Sequence, residues 1–180
     1  MVRIFAVACF VLLLAIPAMA QDDFPRIQTS LGYTNLSFPD LADPSQTSHH
    51  SGFANQTSFN LTKTYGLDNF MGIYSLGTGV TLISDIFGGK VMYRTSKFVP
   101  YGLAGIGIGY FTASTSYGYG AQSSFATRYG AGFDIPINDS MAWKVEVSRM
   151  GFHINLNPAS TSSWTNSTNI STGIVFTISN

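Results

Sequence analysis

The chain has 180 residues, a formal net charge of zero at pH 7, one cysteine and only 10% charged residues. The balanced charge gives no electrostatic footprint for nucleic acid, and one cysteine excludes a disulfide framework. Soluble domains carry about 25% charged residues, so a large water-facing surface would be short of charge.

The N-terminal segment 1–20 has the pattern of a secretory signal peptide. Arg3 precedes an apolar run over 4–16, and an Ala-x-Ala sequence ends the segment. The run is shorter than the ~20 residues of a membrane-spanning helix. Because Cys9 lies in this segment, we expect the exported chain, residues 21–180, to be cysteine-free and to form one domain.

Alternation of apolar and polar residues predicts eight strands in the rest of the chain. They lie at 27–34, 57–65, 69–76, 86–94, 101–111, 125–134, 141–150 and 169–179. The connections 37–55, 112–124 and 151–167 are predicted to be long, 77–84 intermediate, and 66–68, 95–100 and 137–140 short. Alternating short turns and long loops are typical of a transmembrane barrel. The predicted fold is therefore all-β, an eight-stranded antiparallel up-and-down transmembrane β-barrel.

The sixth and seventh predicted strands form a hairpin with one apolar and one charged face. Arg128 and Asp134 share a face with glycines on the first strand, and Lys144 and Glu146 share the matching face of the second. Two registers are open, placing Glu146 opposite Gly130 or Gly132. In the first, Arg128 is diagonal to Glu146 and Asp134 diagonal to Lys144, within reach of long side chains.

The low charge and the glycines favour lipid outside and a crowded polar lumen inside. Gly105, Gly107 and Gly109 alternate along the fifth strand, so we expect them to face this lumen rather than a nucleotide. The interior of an eight-stranded barrel is just wide enough for side chains. We therefore expect the charges of Arg128, Asp134, Lys144 and Glu146 to plug it.

Aromatic residues near the predicted strand ends are expected to form the girdles at the two membrane interfaces. These are Tyr33, Tyr65, Phe70, Tyr93, Tyr101, Phe133, Trp143 and Phe176.

The sequence shows no catalytic or metal-ligand motif. His49, His50 and His153 are the only histidines, and Asp40 and Asp43 are scattered acids rather than ligands at fixed spacing. We predict no metal, no cofactor and no enzymatic activity, because His153 also lacks the neighbouring serine of a hydrolase motif.

The segments YGAGFDIPINDSMAWKVEVS and STGIVFTIS, with the eight-strand pattern over 21–180, resemble the small outer-membrane barrels of the OmpA/OmpX type. The resemblance implies export to the periplasm, insertion by the outer-membrane assembly machinery and residence in the lipid bilayer of the outer membrane. Such barrels usually end in an aromatic residue, whereas this chain ends Ile178-Ser179-Asn180, so Phe176 would have to serve as the assembly signal.

Three functions remain open from the sequence. The first is a structural or adhesive outer-membrane barrel with a plugged polar lumen, whose long outer loops contact a surface partner that the sequence does not identify. The second is a soluble lipocalin-like barrel with its apolar faces inside, binding a small hydrophobic ligand. The third is a minimal pore.

Overall fold

The computed structural model describes residues 24–40, 45–77, 79–113, 120–154 and 163–179. The predicted signal peptide lies outside these described residues. No helix within them is long and apolar enough to cross a membrane.

Eight antiparallel strands close into a barrel in chain order, as the alternation predicts. Each strand pairs with its neighbours in sequence, and the last strand pairs with the first. The strands are β1 (Ile27–Pro39), β2 (Thr47–Asn60), β3 (Tyr65–Ser75), β4 (Val80–Met92), β5 (Val99–Ala113), β6 (Gln122–Asn138), β7 (Met141–Ile154) and β8 (Ser163–Ser179).

The connections alternate between the two ends of the barrel. The connections 61–64, 93–98 and 139–140 lie at one end together with Phe24 and Ser179, and we name it the turn end. The strand ends that bound the connections 40–46, 76–79, 114–121 and 155–162 lie at the other, which we name the loop end.

The loop-end connections are shorter than predicted, because several strands continue beyond the apolar alternation. The predicted loop 37–55 is mostly paired strand, with Ser37 opposite His49 in the β1–β2 register. The predicted connection 77–84 shortens to 76–79, where Gly77 and Gly79 have φ angles of 77° and 78° that favour glycine. The apolar residues of β1 change from the outward face, at Tyr33, to the inward face, at Leu36 and Phe38, and the start of β2 is polar on both faces. One continuous alternation therefore does not reveal these extensions.

The register around the barrel fixes the strand tilt. A row of paired residues starts at Ile174 on β8, passes Leu31, Asn55, Met71, Asp85, Ile108, Phe125 and His153, and returns to β8 at Trp164. The row therefore climbs ten residues towards the loop end in one circuit. With ordinary strand dimensions this shear corresponds to a tilt of about 40°.

The outer wall of the barrel is apolar. Large apolar side chains point outward from every strand, as Phe53 on β2 and Ile106 on β5 illustrate at 72% and 61% exposure. The glycines of β5 face inward as predicted, since they alternate with the exposed Ile106 and Ile108. The soluble lipocalin-like alternative required apolar faces inside, and this orientation of the faces makes it wrong.

Candidate functional site in the barrel interior

The turn-end half of the interior is built around the guanidinium of Arg128, which projects from β6 and is 2% exposed. It forms an ion pair with Glu146 on β7, and its Nη1 lies 3.4 Å from Asp68 on β3. The same guanidinium stacks 3.9 Å above the ring of Phe70. Side chains from β3, β6 and β7 thus converge on one cation at the barrel axis.

Asp68 is held by hydrogen bonds from β2 as well. The amide of Gln56 donates to both carboxylate oxygens at 2.8 and 2.9 Å, and the hydroxyl of Ser58 donates to Oδ1 at 2.9 Å. A buried carboxylate is stable only when its oxygens are paired in this way. Asp68 is therefore a full member of the network.

Two lysines complete the network towards the turn end. Lys144 Nζ lies 3.3 Å from Glu146, while Lys90 Nζ lies 3.8 Å from Asp134. Tyr101 stands between them, donating its hydroxyl to Glu146 at 3.1 Å with Lys90 Nζ 3.9 Å above its ring.

We name these six charged residues the charge network. Its members are Asp68, Lys90, Arg128, Asp134, Lys144 and Glu146, and each is at most 6% exposed. Three positive and three negative charges balance, so the charge network has no net charge that would favour one sign of ion.

The structure brings together the four charged residues predicted for the lumen, with a different pairing from the one expected. The register sets Glu146 opposite Gly132, the second of the two predicted alternatives. Arg128 still reaches Glu146, but Asp134 pairs with Lys90 instead of Lys144. Ion pairs between strands that are not neighbours cannot be found from a hairpin register alone.

The sequence prediction of the network lacks Asp68 and Lys90, and it misplaces two aromatic residues. The predicted turn 66–68 includes Asp68, although this residue shares the inward face of β3 with Phe70. Phe70 and Tyr101 are predicted at the membrane interface, but they are 0% and 5% exposed and lie inside. Tyr101 lies an even number of residues before the lumen glycines of β5, so the alternation of the strand already places its side chain on the inward face.

The other predicted girdle residues differ in their exposure from these two. Tyr33, Tyr65, Tyr93, Phe133 and Trp143 are exposed on the outer wall, and Phe176 is partly exposed. Their role at an interface with lipid headgroups stays a prediction.

The loop-end half of the interior holds an apolar cluster beside buried polar side chains of β8, Thr165, Ser167 and Asn169, so the expectation of a polar lumen holds only in part. We name this cluster the apolar plug, and it consists of Leu36, Phe38, Ala54, Phe70, Tyr74, Leu76, Leu82, Ile86, Ala126, Met150, Phe152 and Ile154. The rings of Phe38 and Phe152 lie 6.0 Å apart, and Phe111 packs against both. A Cβ at position 109 would lie 2.7 Å from the Phe152 ring, so the ring has room only because residue 109 is glycine.

The interior leaves little open volume in the described part of the barrel. A void of about 10 Å³ lies beside Gln56 and Lys144, and a cavity of about 260 Å³ opens at the turn end between Arg94 and Thr177. Neither joins the two ends, because the charge network and the apolar plug fill the space between them. Within the described residues no group of three His, Cys, Asp or Glu could hold a metal ion.

The predicted loop histidines are separated in the structure. His153 is exposed on the outer wall with its ring 5.4 Å from that of Trp164, whereas His49 and His50 lie on β2. His49 contacts Ser37, and His50 contacts the carbonyl of Ser75. The Ser37 hydroxyl and His49 Nδ1 lie 3.0 Å apart on the exposed part of the β1–β2 pair.

The model of the family described as outer membrane protein beta-barrel domain matches residues 6–176. The chain belongs to this family. The barrel resides in the lipid bilayer of the outer membrane, and the exposed apolar wall is its lipid-facing surface. Short turns face the periplasm in such proteins, which places the turn end there and the loop end outside the cell.

Solved structures share the fold at low sequence identity. Neisserial surface protein A matches with a TM-score of 0.62 and 11% identity, over 84% of this chain and 96% of that chain. Ail, the attachment invasion locus protein of Yersinia pestis, matches at 0.51 and 16%, over 83% and 97%. The N-terminal β-barrel domain of Pseudomonas aeruginosa OprF matches at 0.51 and 15%, over 81% and 96%. No curated protein sequence matches this chain significantly.

Proposed function

We propose that this outer-membrane barrel is non-enzymatic and has a closed interior, and that its loop end makes structural or adhesive contacts at the cell surface. The observation that carries the proposal is the filling of the interior by the charge network and the apolar plug. In the described part of the barrel this filling separates the turn-end cavity from the loop end, so the outer rim is the surface left for contact with molecules outside the cell.

The chemistry of the loop end supports a partner recognised mainly by neutral contacts, because its connections hold two acids, Asp40 and Asp43, and no basic residue. None of the four loop-end connections contains lysine or arginine, and their composition is dominated by Ser, Thr, Asn, Gly and Tyr. Ail has been solved in complex with the heparin analogue sucrose octasulfate. Anion binding of that kind needs basic side chains, so we propose hydroxyl, amide and tyrosine contacts with an uncharged polar partner instead.

Binding of the purified protein in lipid nanodiscs to host-cell surfaces, matrix proteins and neutral glycans tests this proposal. We expect binding that persists from about 0.1 M to about 1 M salt, because screening weakens charge pairs but not neutral hydrogen bonds. Replacing 114–121 by a short glycine-containing turn should abolish binding, whereas the same exchange at the turn-end connection 61–64 should not. Equal loss from both exchanges, or no binding partner in the whole screen, would count against an adhesive role.

The minimal pore remains the second candidate, and conductance decides between them. The balanced charges and the separate 10 and 260 Å³ spaces support a closed state. We expect no sustained channels from the protein in planar bilayers. Long-lived openings of constant size would show that the interior rearranges, and would overturn the closed barrel.

A further inference from the structure

The outer wall carries a pair of charges that the closed interior does not explain. Among the described strands, Asp85 on β4 and Arg149 on β7 are the only Asp, Glu, Lys or Arg side chains that point outward, and both are exposed. Their neighbours on paired strands are Met71 and Ile108 for Asp85, and Tyr129 for Arg149. Ionisable side chains on an apolar membrane surface are unfavourable unless they are paired.

The two charges stand at the same height on the barrel. The row of paired residues through Asp85 reaches β7 at His153, three strands further on. One circuit of eight strands climbs ten residues, so three strands climb about four residues towards the loop end. The β7 residue level with Asp85 is therefore four residues nearer the turn end than His153, which is Arg149.

Among the described residues, each charge has only neutral partners. Asp85 accepts a hydrogen bond from the Asn69 amide at 2.7 Å, and Arg149 donates to the Thr168 hydroxyl at 3.0 Å. No opposite charge of the described residues lies within ion-pair distance of either one. Asp85 and Arg149 cannot meet within one barrel, because β5 and β6 lie between their strands around the wall.

A polar stripe continues from Asp85 across the outward face of β3, β2 and β1. The Thr29 and Thr57 hydroxyls lie 3.2 Å apart, and the Asn55 amide donates to Thr29 at 3.2 Å. Thr57 is paired with Asn69 in the β2–β3 register, which links the stripe to Asp85. Hydrogen-bonding side chains on a lipid-facing wall are typical of surfaces where membrane-spanning elements associate.

We propose that the barrel associates with further copies of itself in the membrane plane, with Asp85 of one copy paired to Arg149 of the next. Complementary charge at a common height identifies a second copy as the occupant, because parallel insertion in one membrane brings the two residues to the same depth. The contact is head-to-tail, since the two residues lie on different sides of one barrel, and it produces open chains or a ring. This inference rests on membrane residence alone, and holds whether or not the loop end is adhesive.

Charge reversal tests the pairing. The variants are Asp85→Arg, Arg149→Asp and the double variant, each refolded into lipid bilayers and carrying a donor or acceptor dye at the turn-end residue Ser140. Wild-type protein should show energy transfer between copies that rises with the protein-to-lipid ratio. Each single reversal should weaken self-association roughly tenfold or more, and the double reversal should restore it. Asp139→Arg, an exposed acid in the same turn, is the matched control and should leave association unchanged.

Mixing the two single-reversal variants gives the sharpest result. The Asp85→Arg variant has a cation at both contact positions, and the Arg149→Asp variant has an anion at both. Energy transfer should therefore appear in the mixture, although each variant alone stays dispersed. Dispersed wild-type protein at every ratio, or association that the reversals leave unchanged, would overturn the proposal. The proposal is also overturned if Asp85→Arg has no effect and Arg149→Asp only removes bound anionic lipid. That result would assign Arg149 to a lipid headgroup.

Discussion

Asp134 on β6 and Lys144 on β7 are direct register partners, yet Asp134 forms its ion pair with Lys90 on β4, at 3.8 Å. Lys144 instead reaches Glu146 on its own strand at 3.3 Å. In a narrow closed barrel, inward side chains converge on the axis, so a residue two strands away is as near as the adjacent one. Pairing inside the lumen is therefore set by the cross-section of the barrel.

This pairing predicts a specific pattern of coupling. Asp134→Asn and Lys90→Met should each destabilise the barrel, and the double variant should lose less than the sum of the two. Asp134→Asn combined with Lys144→Met should be closer to additive. Both double-mutant cycles are measured by denaturant titration in detergent micelles, with tryptophan fluorescence as the signal of unfolding. Stronger coupling of Asp134 to Lys144 than to Lys90 would contradict the observed geometry.

The contact between Arg128 and Glu146 is the centre of the charge network, and breaking it leaves a cation buried. We expect Glu146→Gln to cost about 3–5 kcal/mol, because the Arg128 guanidinium loses its closest carboxylate. Adding Arg128→Met should recover part of this loss. Asp139→Asn, a neutralisation on the exposed turn, should stay within about 0.5 kcal/mol of wild type. Additive effects at positions 128 and 146 would mean that the two side chains do not meet.

The apolar plug predicts that the effects of substitutions at Gly109 and Phe152 on stability are coupled, because the two residues are in steric contact. Gly109→Ala places a Cβ 2.7 Å from the Phe152 ring, and the resulting overpacking should cost about 1–3 kcal/mol. Phe152→Ala should cost about 3–5 kcal/mol through the cavity it leaves. In that background, Gly109→Ala should be nearly neutral. The same denaturant titrations provide the measurement. If Gly109→Ala keeps its full cost in the Phe152→Ala background, the added Cβ clashes with another residue.

The lipid-facing wall predicts a cost that depends on depth. Val147 lies in the middle of β7 and is 51% exposed, so Val147→Lys should destabilise the folded barrel in vesicles by about 2–4 kcal/mol. Ile137, at the turn end of β6 and 59% exposed, is the matched control, where lysine should cost about 0–1 kcal/mol. Equal penalties at the two sites would show that the apolar band does not surround the middle of the barrel.

The fold is predictable because alternation is strong where strands have one lipid-facing and one inward face. Arg128, Asp134, Lys144 and Glu146 can be placed inside from that parity alone. Their ion-pair partners cannot be predicted in this way, because the shear and the cross-section are properties of the closed barrel and not of any one hairpin. The start of β2 at Thr47 is hidden for a different reason, since residues 47–51 are polar on both faces of the strand.

The length of the strands has a consequence for how the protein meets its surroundings. β6 and β8 have 17 residues each, which at a tilt of about 40° gives a wall about 43 Å tall. The apolar band of such barrels is about 25 Å tall, so the hydrogen-bonded sheet of these two strands projects beyond it. A molecule that docks on this projecting sheet meets a shape that already exists, and little conformational entropy is lost on binding.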